Sequence, residues 1–376
     1  MGSSAGLPDA PAGSTAGPSE EPAGSTAGPS EPPGGLDRDG LLRAIAANHR
    51  IWFRRAAGAR VERIDRIELV VNGSEGAIPF PPQSTPSAVA RAVDRAGELR
   101  LRTLSCWSLT EDKRLGTLLI ARGFEWGWQP WWMALELEQL PPEEPRHRVF
   151  HRRRGSLDLL AVLEGDRNVG GVVVNPWRGI AGMYDMGVHP EHRRRGIGRA
   201  LTLAACRVAR DAGCTHAVLN ATPEGELLYR TVGFRRLGEG RTWWQHSGKR
   251  TTPREQALVE AIGFGDLHAL EVLAPTRLEL ECPIGGAGPP LVITALTNQP
   301  AVADWILARR PDLISRGLGG AGYTLLHAAA EWDAPEVATV ALAHGADTTI
   351  RDASYKGTPL DWAEHFGREQ IAAMLH

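Results

Sequence analysis

Apolar positions along this chain follow two alternating rhythms up to about residue 247 and a single one after that. Leu41, Leu42, Ile45 and Ala46, followed by Trp52 and Phe53, fall at helical spacing. Val61 to Val71 alternates in the period of a strand with room for a bulge, and Asn72-Gly73 marks a turn. The pattern then predicts a helix over 87–96, a strand over 99–107, a helix over 111–122 and a strand over 131–137. A similar order returns after residue 156. Strands are predicted over 157–164, 169–175 and 180–188, with turns at Gly165-Asp166 and Asn175-Pro176. A helix over 197–211 stops at Gly213; a strand over 216–221, a helix over 225–232 and a strand around 241–246 follow. The class is mixed α/β, two segments in tandem, each with a mixed central sheet.

From residue 253 only the helical rhythm remains, and it repeats. Leu258, Leu291, Leu326 and Leu360 lie 33, 35 and 34 residues apart. A period of that size predicts four stacked helix pairs, each covering its neighbour's apolar face, in an all-α solenoid.

Two stretches lack either rhythm. Residues 1–35 are built mainly from Gly, Ser, Pro, Ala, Thr and Glu, and one ten-residue unit occurs at both 11–20 and 22–31. Such a composition buries too little apolar surface to offset chain entropy, so a disordered tail is expected. Residues 138–156 are expected to be a linker, with an extended Pro-Pro-Glu-Glu-Pro segment and an Arg- and His-rich run from Arg146 to Arg154. That run either stays a solvated connector or opens the next segment as its first strand.

Composition narrows the function class. A net charge of −2 gives no support to a nucleic-acid partner for the whole chain. Cys106, Cys206, Cys214 and Cys282 form no metal-type or redox pair. No apolar run reaches the roughly 20 residues of a membrane span, and the start lacks the basic and apolar regions of a secretion signal. A cytoplasmic protein is expected, with no metal.

The chemistry concentrates at 180–201. Met183 to Val188 suits a buried strand, Pro190 ends its pairing, and from Gly198 the helical pattern begins. A helix that starts in a Gly-rich turn presents unpaired N–H groups at its positive dipole end. Gly196 and Gly198 let an anion approach the backbone, and Arg193, Arg194, Arg195 and Arg199 surround it with charge. These features predict a pyrophosphate site. The Walker pattern fails, since no Gly-Lys-Ser/Thr follows. The dinucleotide pattern Gly-x-Gly-x-x-Gly fails, since position 201 is Leu.

Arg-x-x-Gly-x-Gly, from Arg193 to Gly198, does fit. With Val-x-Pro before it and Leu-Tyr-x-x-x-Gly-Phe (Leu228 to Phe234) after it, this resembles the acetyl-CoA loop of the GNAT family of N-acetyltransferases. The resemblance implies transfer of an acetyl group from acetyl-CoA to an amine of a small molecule or a protein. It implies that strands 180–188 and 216–221 splay apart to admit the pantetheine arm, paired with the backbone of Met186 and Val188. The diphosphate would sit on Arg193, Arg194, Arg195, Gly196, Ile197, Gly198 and Arg199, and Asn220 would contact the arm. Tyr229 takes the family position of the general acid. Asp185, an acid inside an apolar strand, is the nearest carboxylate for a general base; a water chain is the family's alternative. Glu224, Glu226 and His189 are weaker candidates.

The first segment carries an echo of the second. Gly123-Phe124 before Trp131-Trp132 parallels Gly233-Phe234 before Trp243-Trp244, yet it lacks Arg-x-x-Gly-x-Gly and has Leu119 where the second has Tyr229. It resembles a degenerate GNAT copy. The expected domains are therefore 36–137 (degenerate copy), 157–247 (acetyltransferase) and 253–376 (repeats). Because the second copy lacks the usual N-terminal elements, the first is expected to wall the acceptor site, with Trp126, Trp128, Trp131 and Trp132. Tyr323 to Ala329 and Gly345-Ala346-Asp347 resemble ankyrin-repeat signatures, which implies a protein partner and a structural role for His327. The alternative function is a non-catalytic acetyl-CoA sensor or an interaction protein.

Overall fold

The computed structural model describes residues 36–56, 58–82, 86–246, 251–318 and 322–376. The expectation for residues 1–35 lies outside them. The described residues divide into two compact units, one drawn from 36–61, 70–73 and 129–240, the other from 62–69, 74–128 and 241–376.

Helix α1 (Arg38–Arg54) opens the described chain, with Asp37 accepting the Gly40 N–H at 2.7 Å as its N-cap. Strands β1 (Arg60–Ile64), β2 (Ile67–Asn72) and β3 (Glu75–Pro79) follow. The single strand expected over Val61 to Val71 is two strands, because Asp65 takes a left-handed φ of 54° and turns the chain. Helix α2 (Pro86–Glu98), β4 (Thr103–Ser108), α3 (Lys113–Ala121), β5 (Glu125–Trp126) and β6 (Trp131–Glu136) complete the first segment.

In the second, β7 (Phe150–Arg154) comes from the expected linker, as its strand alternative. It leads into β8 (Leu157–Glu164), β9 (Arg167–Trp177) and β10 (Ile180–Val188). Helix α4 (Ile197–Asp211), β11 (His216–Ala221), α5 (Pro223–Arg230), β12 (Arg235–Glu239) and β13 (Arg241–His246) follow.

The segments have exchanged their last strands. A seven-stranded sheet runs β12-β6-β11-β10-β9-β8-β7, so β6 lies between β11 and β12. A six-stranded sheet runs β1-β2-β3-β4-β13-β5, so β13 lies between β4 and β5. In the first sheet Ala221 faces Trp131 and His216 faces Glu136; in the second Trp243 faces both Cys106 and Trp126. The expected boundaries at 137 and 157 separate sequence segments, whereas each sheet is completed by a strand from the other segment.

The unit holding the seven-stranded sheet has its core between the sheet and α4, built from Val169, Val172, Val174, Met183, Ile197, Leu201 and Leu219. The other unit joins the six-stranded sheet to the helix pairs. These are α6 (Pro253–Phe264) with α7 (Leu267–Leu273), α8 (Pro290–Thr297) with α9 (Pro300–Arg309), α10 (Leu325–Trp332) with α11 (Pro335–Ala343), and α12 (Pro359–His365) with α13 (Glu369–Leu375). The periodic leucines all lie in the first helix of each pair, Leu291, Leu326 and Leu360 as its second residue and Leu258 midway along α6. His327 is buried and structural: Nδ1 meets the Thr324 N–H at 3.1 Å, and Nε2 lies 3.1 Å from the Gly357 carbonyl. Helix α3 packs on α6 and α8, and the Gly286 N–H donates to the Ile120 carbonyl at 3.0 Å. The first helices of the array are thus partly covered by the chain itself.

Candidate active site

Strands β10 and β11 run parallel only from Ile180 opposite His216 to Met183 opposite Leu219. Beyond that point each stays paired on its outer side. β10 continues to Val188 opposite Gly170, and β11 to Ala221 opposite Trp131. The inner edges are left facing a gap. A bulge between Tyr184 and Gly187 accompanies the parting, and Asp185 within it has φ 50°. Bulges re-aim side chains and backbone groups, and a non-glycine residue in the left-handed region is a recurrent mark of functional sites.

Met186 and Val188 lie on the segment of β10 past the parting, and Asn220 is the first residue of β11 beyond it. The Val188 carbonyl accepts from Arg193 Nε at 3.2 Å. Asp185 is exposed, yet the crowding around it strips water from the carboxylate and raises its pKa above the ordinary value.

Immediately after the gap comes the α4 N-terminus. Gly196 caps it with φ 83° and gives no side-chain cap, so the first-turn N–H groups are not met by a capping side chain. Ile197 is fully buried in the core and could serve a ligand only through its backbone. The arginines divide. Arg194 is exposed at φ 61°. Arg193 folds back on Val188, and Arg195 Nη1 lies 3.6 Å from Glu164. Arg199 donates to the Thr231 carbonyl at 2.6 Å and to Glu143 at 2.7 Å. That hydrogen bond lowers the Glu143 pKa. Among the described residues the Arg194 guanidinium has no side-chain partner, while Arg193, Arg195 and Arg199 also brace the loop. His147 Nε2 also holds the loop, 2.7 Å from the Arg195 carbonyl.

Helix α5 lies against this turn because Gly198 has no side chain; a Cβ there would come within 2.9 Å of Leu228 Cδ2. Thr222 caps α5 by accepting the Gly225 N–H at 3.1 Å. Tyr229 follows Leu228, buried, its ring 5.8 Å from that of Phe234. Burial pushes its pKa up to about 12. Among the described residues its hydroxyl has no hydrogen-bond partner. Glu226 is taken by Arg230 at 3.0 Å, while Glu224 is exposed in the first turn of α5 and His189 is exposed just after β10.

The opposite face of the sheet is covered by α1. Tyr184 points to that side, its ring stacked on Trp52 at 4.6 Å, with the buried His49 at 5.1 Å. These contacts were not legible as a site, since Asn48, His49 and Trp52 read as one ordinary amphipathic helix. Of the four tryptophans expected as an acceptor wall, Trp131 and Trp132 stand in β6 of this sheet. Trp126 and Trp128 belong to the other unit, where their rings pack on Trp332 and Trp107.

Compared with protein families, residues 113–234 match the family described as Acetyltransferase (GNAT) family, and residues 321–353 match Ankyrin repeat. A glucosamine 6-phosphate N-acetyltransferase of Trypanosoma brucei brucei is 31% identical over 58 residues, 15% of this chain and 40% of that protein. The chain thus spans less than half the length of that relative. Among solved structures, a GCN5-related N-acetyltransferase from Kribbella flavida has 16% identity and a TM-score of 0.45, covering 55% of this chain and 96% of its own. A tandem GNAT protein from the clavulanic acid biosynthesis pathway has 12% identity and a TM-score of 0.37, covering 48% and 78%.

Proposed function

From a chain that carries a GNAT-family domain and an ankyrin repeat, we propose an acetyl-CoA-dependent N-acetyltransferase whose site is the β10–β11 gap. The observation that carries this reading is the parting of the two strands after Met183 and Leu219, followed at once by the glycine-capped N-terminus of α4. A pantetheine arm has the hydrogen-bonding shape of a strand and would fill the gap. The diphosphate would then meet the first-turn N–H groups and Arg194.

In this mechanism the amine nitrogen attacks the thioester carbon, with Asp185 or a water it holds taking the amine proton. Backbone N–H groups of the bulge stabilise the oxyanion. The C–S bond breaks, Tyr229 gives its proton to the departing sulfur, and solvent restores that proton. Holding the two reactants together supplies much of the rate. The relative's name indicates an amino sugar as its acceptor, so a primary amine on a small molecule belongs first in the acceptor panel. The ankyrin helices α6 and α8 support α3, and a protein partner would use the surface they leave, which includes Tyr355, 76% exposed. A cytoplasmic setting, where acetyl-CoA is available, completes the reading.

Thiol release from acetyl-CoA across a panel of amines tests it. Amine-dependent release that collapses in Tyr229→Phe is expected. Binding of acetyl-CoA without release under any amine would favour a sensor.

A further inference from the structure

The buried polar network beneath the bulge belongs to none of the roles above. Asn48 of α1 is fully buried, and its side chain makes four hydrogen bonds, the full capacity of an amide. Its Nδ2 donates to the Asn175 carbonyl at 3.1 Å and to the Ile180 carbonyl at 3.0 Å. Its Oδ1 accepts from Asn175 Nδ2 at 3.0 Å and from the Tyr184 hydroxyl at 2.9 Å. Asn175 is itself fully buried and also accepts from Arg55. Gly182, between Ile180 and Tyr184 on the same strand, has no space for a Cβ, because Asn48 and the Tyr184 ring occupy it.

The location gives this network its meaning. It ties α1 to β9 and to β10 at the start of the Ile180–Met183 stretch that pairs with β11, and its final member, Tyr184, is the residue where the bulge begins. Trp52 covers the other side of that ring. A fully satisfied network in a low-dielectric interior is stiff, whereas a partly satisfied one is costly. A network meant only for stability is replaceable by apolar packing of similar volume.

We propose that Asn48 is a positioning residue for acetyl transfer. Through Tyr184 it fixes the geometry of the Tyr184–Gly187 bulge, and so the backbone N–H groups that face the thioester. This rests on the enzymatic reading of the gap. The diphosphate cradle at α4 lies beyond the bulge and does not depend on Asn48, so the role separates turnover from cofactor affinity.

The test uses the full chain with Tyr184→Phe, Asn48→Ala and the double variant. Tyr184→Phe keeps the ring on Trp52 and removes only the hydroxyl, so it remains folded even if Asn48→Ala does not. Measurements are kcat and KM for acetyl-CoA by thiol release, Kd for CoA by calorimetry, and Tm. The expected result for Tyr184→Phe is a kcat about tenfold lower with the CoA Kd within about threefold of wild type. Asn48→Ala, where folded, falls at least as far, and the double variant falls no further than Asn48→Ala, as members of one network do. Wild-type kcat in Tyr184→Phe, with only Tm lowered, overturns the positioning role and leaves the enzymatic reading standing. A wild-type protein that releases no thiol overturns both.

Discussion

Gly198 and Leu228 touch across the helices that hold the two halves of the candidate chemistry: one glycine into the turn of α4, one residue before Tyr229 in α5. A Cβ at position 198 would stand 2.9 Å from Leu228 Cδ2, close enough to force that side chain aside. Gly198→Ala is expected to weaken CoA binding about three- to tenfold, as the Leu228 methyl can yield. Gly198→Glu adds bulk and a negative charge beside the diphosphate and is expected to abolish detectable binding by calorimetry.

Tyr229→Phe is expected to lower kcat by about 10²-fold with little change in KM for acetyl-CoA, the signature of a proton donor used in the transition state. Because burial holds the phenol at about 12, it stays protonated throughout the neutral range. The rate should therefore rise with pH as the amine and Asp185 lose protons. It should show no descending limb attributable to Tyr229 below about pH 10. A pH–rate profile of kcat/KM checks this.

His49 carries an acid-sensitivity prediction. Burial lowers its pKa from 6.5 to about 3, so between those values the unfolded chain binds a proton that the folded chain refuses. The folded pKa is depressed, so stability is full above about pH 6.5 and is lost as pH falls toward 3, by an upper bound of about 5 kcal/mol. Denaturant unfolding at pH 7.5 and 4.5 should show about half of this loss, up to roughly 3 kcal/mol. His49→Gln, which does not titrate, should show a smaller one.

Gly286 is expected to be intolerant of any side chain. A methyl group there would land on the Phe124 carbonyl, which is backbone and cannot rotate away. Gly286→Ala should destabilise the chain by about 2–4 kcal/mol, read as a lowered Tm. The same contact predicts that removing 251–376 uncovers the face of α3 that packs on α6 and α8. Light scattering of that truncation should show association.

The elements were legible where their periodicity is local. Strands β10, β11 and β13 and helix α4 match their predicted limits, and the four leucines at intervals of 33 to 35 residues place the first helix of each pair. Sheet membership was not legible. Trp131–Glu136 and Arg241–His246 both follow a Gly-Phe and both read as strands, and nothing within either says which distant neighbour it will pair with. The partners of the arginines were not legible either: Arg199 sits in the motif, and Glu143, 56 residues earlier, accepts from its guanidinium. Asn48 was invisible because a polar residue in an amphipathic helix reads as solvated until the partners that bury it, more than 120 residues on, are known.

A crystal structure of the full chain with acetyl-CoA bound tests the central claim most directly. The account predicts the diphosphate within hydrogen-bonding distance of the backbone N–H groups at 196–199, the arm between β10 and β11 past Met183 and Leu219, and the sulfur within reach of the Tyr229 hydroxyl. Diphosphate density elsewhere on the chain, or an arm lying outside that gap, would contradict it.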